Sequence, residues 1–227
     1  MCVCVCVIQM SHRAELVQLA QVFERGNRLD DMRKVVHDLA LCIMATPEDE
    51  ISILERDLIY NSFKRKIANV RESFYSMREI EETCVGNERT ILLSHTLSVQ
   101  LKHELFKLCQ EALCVIECVI EHKEHEFFFT KFKADCLRYL CEIGLNDDSS
   151  VYIEKAEKCY QDALRLGKEY MCPTLGLCLN YSVFVHEILG KPKEACLIAR
   201  SAFEENPGGE PTTLQLLRDN LVKWTSC

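Results

Sequence analysis

Lys64 and Arg71 stand seven residues apart. On a helix that separation is two turns, roughly 10 Å along the axis, so both project from one face. Lys131 and Arg138 repeat the spacing further on, with Asp135 between them and Tyr139 beside the arginine. Two helices that each present a lysine and an arginine in this way can converge on one dianionic group. The arginine offers a planar fork for bidentate bonding to phosphate, the lysine a point charge, and the tyrosine hydroxyl a neutral donor. A solvated helix face shows the same charge spacing, so spacing alone leaves both readings open.

Cys114, Cys118, His122 and His125 form a second constellation, and all four are zinc-ligand types. From Cys114 to His125 is eleven residues, roughly 16 Å along a helix. One ion with bonds of about 2.0–2.3 Å cannot reach all four, so these residues read as core cysteines and ordinary histidines. The chain has no CxxC, no HExxH, no glycine-rich phosphate loop and no nucleophile elbow. It is expected to bind rather than catalyse, with no metal and no cofactor.

Composition limits the elements that must position these groups. The 227 residues include 8 glycines, 5 prolines and 48% hydrophobic residues. That is too much apolar mass for a disordered chain, and too few turn residues for a sandwich or barrel. The net charge of −8 argues against a polyanion partner, so neither nucleic acid nor membrane is expected. Fifteen cysteines would suggest a disulfide framework in a short secreted chain. Here the count is odd, no secretory signal is present, and Cys114/Cys118 and Cys172/Cys178 fall at helical spacings, which favours a reducing cytoplasm.

No proline occurs between Pro47 and Pro173, and apolar residues recur every three or four positions. The pattern predicts about nine helices in an all-α, antiparallel array. Stripes run through Leu16–Phe23, Met32–Ile43, Glu48 to about Ile80, and Leu101–Val119. Shorter helices are expected over 127–143, 151–166, 175–189, 192–205 and 212–224. Asn146-Asp147-Asp148-Ser149 reads as a turn and cap, Gly190 as a C-cap, and Pro207-Gly208-Gly209 as a loop. Residues 1–10, an alternating Cys/Val run and its continuation to Met10, read as an unstructured leader ahead of a single domain over 11–227. Ala156–Ala163 and Ala195–Ala202 have the small-residue spacing of tetratricopeptide-like packing, but their 39-residue separation misses the repeat of about 34.

Longer blocks decide between the readings of the basic residues. KFKADCLRYL (131–140), LGLCLNYSVFVHEIL (175–189) with KPKEACLIARSAFEE (191–205), and QLLRDNLVKWTS (215–226) strongly resemble the 14-3-3 family. ELVQLAQVFERGNRLDDM (15–32) is similar to that family's dimerisation region, so the resemblance covers nearly the whole chain. It implies a cup-shaped homodimer, or a heterodimer with a paralogue, whose grooves hold phosphoserine or phosphothreonine peptides in extended form. By position, it implies that Lys64, Arg71 and Arg138 clasp the phosphate with Tyr139, and that Asp135 orients the cluster beside Lys131. It further implies that Asn180 and Asn220 hold the peptide backbone. Leu179, Val183, Leu216 and Trp224 would form an apolar wall, with Glu187 on the polar side. In the interface it places Leu16, Leu19, Arg28, Asp31, Leu97 and Glu104, with residues 11–80 supplying the dimer region and first groove helix, and 88–227 the rest of the groove.

The chain also departs from the family pattern. Val70 stands where a second arginine is usual beside Arg71, Gln100 where Asp31 would meet a lysine, and Thr212-Thr213 where bulky aliphatics are expected. The 206–211 link is short. These departures leave an alternative: a 14-3-3-like helical scaffold that binds partners independently of phosphorylation.

Overall fold

The computed structural model describes residues 2–84, 87–144, 149–171 and 174–225; for 2–11 and 149 it describes the backbone alone. Among these residues every regular element is helical: α1 Cys2–Arg25, α2 Leu29–Ala45, α3 Ile53–Thr83, α4 Glu88–Val119, α5 Glu126–Ile143, α6 Ser149–Glu169, α7 Leu175–Glu187, α8 Pro192–Glu205 and α9 Pro211–Thr225. A 3-10 turn, Lys123–His125, precedes α5. The expected count of about nine is met among the described residues. The Asn146-Asp147-Asp148 turn, Gly86, Cys172 and Pro173 lie outside them.

The leader is corrected. The backbone of α1 runs from Cys2 instead of beginning after Met10. Nothing between Cys2 and Arg25 is glycine or proline, so no residue stops the helix before Gly26. There Asn27 turns the chain with a φ of 52°, a left-handed conformation that asparagine tolerates.

The chain divides into two compact units, 1–126 and 127–227. In the first, α3 packs on α4, α2 and α1, and α2 packs on α1 and α4. Its core closes over Met32, Val36, Leu39, Leu58, Ile59, Phe63, Leu105 and Ile116, all essentially inaccessible. The helix expected from Glu48 begins instead at Ile53, because Ser52 and Glu55 form a reciprocal capping box. Arg13 then fixes α1 to this cap. Its Nε donates to Glu55 Oε1 at 2.6 Å and one Nη to Oε2 at 3.0 Å. Ile51 is held from the other side: its N–H donates to Glu124 at 2.9 Å, and its carbonyl accepts from His125 Nε2 at 2.8 Å. A carbonyl only accepts, so the His125 proton sits on Nε2.

In the second unit α7 packs on α6, α8 and α9, and α8 packs on α9. Ala156, Ala163, Ala195 and Ala199 are completely buried, so small side chains let these helices approach closely. Gly167 serves the same purpose: a Cβ there would lie 2.5 Å from Thr174 Cγ2 and 3.0 Å from Phe127 Cε2. Gly190 ends α7 with a φ of 64°, which its lack of a Cβ permits.

Candidate functional site

The second unit assembles a buried polar network from three helices. Helix α5 supplies Lys131, Asp135, Arg138, Tyr139 and Glu142, at spacings that put Lys131, Asp135, Arg138 and Glu142 on one face. Asp135 is its hub. Its Oδ1 accepts from Tyr160 Oη of α6 at 2.8 Å and from Asn180 Nδ2 of α7 at 2.8 Å. Its other oxygen accepts from Lys131 Nζ at 3.5 Å. Tyr160 in turn accepts from Arg138 Nε at 3.1 Å. Arg138 also pairs through Nη1 with Glu142.

Arg138 is therefore a fixed guanidinium. It is 6% exposed, and its charged carbon lies 4.5 Å from the centre of the Tyr139 ring. Burial alone would pull its pKa down, but Tyr160, Glu142, Tyr139 and Asp135 hold it well above the ordinary value. The bonds to Tyr160 and Glu142 use two of its five N–H groups, so the fork keeps donors for an anion. Burial, and then the Asp135 charge, push the Tyr160 hydroxyl well above its ordinary pKa, so it stays protonated and acts as a donor.

In the first unit, α3 carries the other two expected phosphate ligands. Lys64 is exposed and lies 4.9 Å from the Tyr60 ring centre, one turn back. Arg71 is half-buried, 5.7 Å from the Tyr75 ring centre, one turn on. Each cation is thus braced by an aromatic ring of its own helix.

The expected wall residues are not alike. On α7, Leu179, Asn180 and Val183 are half-buried and Glu187 is exposed. On α9, Leu216 is 47% exposed and Asn220 half-buried. Trp224 is mostly buried: its ring stacks on His186 with centroids 4.5 Å apart. Asn180 donates one amide hydrogen to Asp135, so its side chain is orientated by the same network that holds Arg138.

Of the expected interface residues, Leu16 is buried and Leu19 and Leu97 are exposed. Arg28, just before α2, pairs with Asp31 in that helix's first turn, and Glu104 accepts an ion pair from Lys66 at 3.2 Å. The Arg28 and Glu104 side chains therefore have partners within one chain.

Sequence reading did not single out Tyr160, Glu142 or His186. Glu142 was visible as the i+4 neighbour of Arg138, an intrahelical ion-pair spacing. Tyr160 offered less: its hydroxyl matters only because α6 carries it to α5. In the constellation of Cys114, Cys118, His122 and His125 the histidines are buried, but the cysteines are not the core residues expected: Cys114 is exposed and Cys118 half-buried. His125 serves the Ile51 carbonyl, and the Cys118 thiol contacts the Cys114 carbonyl at 3.4 Å. Among the described residues no cluster of three or more His, Cys, Asp or Glu side chains suits a metal ion. Burial pushes the thiols of Cys42, Cys118, Cys159 and Cys178 up, and that of Cys141 to about 11, so each holds its proton more tightly than a free thiol.

The family profile described as "14-3-3 protein" matches residues 19–225, across both units. The chain is also 35% identical over 231 residues to "14-3-3-like protein 1" of Caenorhabditis elegans, covering 93% of this chain and 91% of that protein. The chain belongs to the 14-3-3 family. Its general role follows: it is an adaptor that binds client proteins, and it is not an enzyme. Among the described residues no helix is long and apolar enough to cross a membrane.

Proposed function

We propose that this protein is a cytoplasmic adaptor whose binding to client segments depends on phosphorylation of a serine or threonine. Lys64, Arg71 and Arg138 supply the cationic grip on the phosphate and Tyr139 a neutral donor, beside Lys131. Asn180 and Asn220 hold the peptide backbone. Leu179, Val183, Leu216 and Trp224 receive its apolar side chains, and Glu187 borders the polar side.

The observation that carries this reading is the state of Arg138. A buried arginine fixed by Tyr160, Asp135 and Glu142 has already lost its rotamer freedom, so it meets a phosphate at little further entropic cost. Each charge-assisted hydrogen bond to phosphate contributes about 1.5–3 kcal/mol, which is enough for a few of them to make binding conditional on the modification.

Exposed apolar side chains on the first unit support pairing with a second copy. Leu19 and Val22 on α1, and Leu92, Leu93 and Leu97 on α4, are all more than 40% exposed. Burial of such a face is what a dimer interface requires.

Fluorescence anisotropy with a phosphoserine peptide and its unphosphorylated twin tests the proposal. The phosphorylated form is expected to bind at least tenfold more tightly, and Lys64→Glu to abolish binding without loss of helicity. Equal affinities would overturn phosphate dependence and leave the plain helical scaffold.

A further inference from the structure

One ring stack joins α7 and α9. The rings of His186 and Trp224 lie 4.5 Å apart and within 11° of parallel, and Trp224 is only 8% exposed. The residues next to it in sequence carry opposite charges and are exposed: Glu187 follows His186, and Lys223 precedes Trp224.

Lys223 shares a stripe with the expected peptide-holding residues. Leu216, Asn220 and Lys223 fall at i, i+4 and i+7, within about 60° of one another around the helix. The start of α9 is capped by the residue before it. The Glu210 carboxylate accepts from the N–H groups of Thr212 and Thr213 at 3.0 and 2.7 Å, and from the Thr213 hydroxyl at 2.6 Å. These bonds cap α9 and pull the Glu210 pKa down to about 2, so the carboxylate is committed to the helix end. On this capped helix the stripe carries an exposed leucine, an amide in its middle and a cation in its last turn.

We infer that Lys223 is a specificity-determining residue, selecting client segments that carry an acidic side chain close to the residue gripped by Asn220. The inference rests on the peptide-binding role proposed above. Its register follows from helix geometry: Asn220 to Lys223 is a rise of about 4.5 Å. An extended peptide advances about 3.3 Å per residue, so the acidic group belongs one or two residues from that point.

The test uses the full chain and a set of phosphoserine peptides, each with Glu, Lys or Ala at one position from four before to four after the phosphoserine. Anisotropy titrations of the native protein should show a Glu-over-Lys preference of about two- to fivefold, the range of one exposed ion pair, at one or two adjacent positions on a single flank. The preference should fade as salt rises from about 50 to about 500 mM. Lys223→Met should bring the Glu-to-Lys ratio to one at those positions, and Lys223→Glu should invert it, each variant first checked for native helicity. An unchanged ratio in both variants, or a native protein without any flank preference, overturns the inference while leaving phosphopeptide binding intact. If phosphorylated and unphosphorylated peptides bind equally, the phosphate reading fails. The same Glu/Lys comparison on unphosphorylated peptides then decides for or against Lys223 separately. Failure of every peptide to bind sinks both.

Discussion

Replacing Tyr160 by phenylalanine removes a single oxygen atom from the centre of the second unit. That oxygen accepts from Arg138 Nε at 3.1 Å and donates to Asp135 Oδ1 at 2.8 Å. The ring keeps its packing against Tyr181 and Phe184, whose centroids lie 5.3 and 5.5 Å away, so lost volume is not the issue. What remains is a buried guanidinium N–H without its partner and a buried carboxylate with one bond fewer. Leaving a charged or strongly polar group unsatisfied costs about 1–3 kcal/mol, and Asp135 keeps the bond from Asn180. The sum is about 2–4 kcal/mol. For a chain of this length each kcal/mol shifts Tm by about 2–4 °C, so 3 kcal/mol predicts a fall of about 6–12 °C.

Thermal unfolding followed by circular dichroism measures this directly. A double-mutant cycle with Asp135→Asn adds a second readout: because both changes break one network, the pair should destabilise by less than the sum of the single variants. Phosphopeptide affinity of Tyr160→Phe should also fall, since Arg138 loses one of the two bonds that orient it. A Tm within 1 °C of the native protein, or strict additivity with Asp135→Asn, would refute the claim that Tyr160 holds the network together.

Two further outcomes follow from the packing. Burial pushes the Glu55 carboxyl up, but its bonds to Arg13 and Ser52 outweigh burial and leave the pKa below its ordinary value. The stability it contributes is therefore present above the unfolded-state pKa and is lost as pH falls through the folded one. Arg13→Met should destabilise by about 2–4 kcal/mol at pH 7 and flatten the acid limb of the stability curve below about pH 5, measured by urea unfolding at stepped pH. An acid limb as steep as that of the native protein would count against the pair. Gly167→Ala should cost about 1–3 kcal/mol, because its Cβ would meet Thr174 and Phe127 inside van der Waals contact. If this variant matches the native Tm, the close approach of α6 is not a constraint.

The helices were legible because each is written in local signals. Apolar spacing and the glycines at 26 and 190 are visible without knowing what packs on what. Where local signals ran out, the reading drifted. The apolar pattern runs from Glu48, whereas α3 begins five residues on at Ile53, where Ser52 caps it. The leader was read as unstructured because its composition differs from the rest, although composition does not stop a helix and only Gly26 does.

The candidate site divides along the same line. Lys131, Asp135 and Arg138 share a helix, so their spacing announces a polar face. Tyr160 and Asn180 reach Asp135 from 25 and 45 residues away, a closeness that exists only once three helices have packed. This is why the sequence suggested a peptide-holding role for Asn180 but not its bond to Asp135. One Asn180 amide hydrogen is spent on orientation, which leaves the rest of that side chain held in one place. A binding residue fixed in this way loses little freedom when a ligand arrives. The network that stabilises the second unit and the network that would present Asn180 and Arg138 to a client are the same set of bonds, so loss of fold stability and loss of affinity should appear together in any variant that breaks the hub at Asp135.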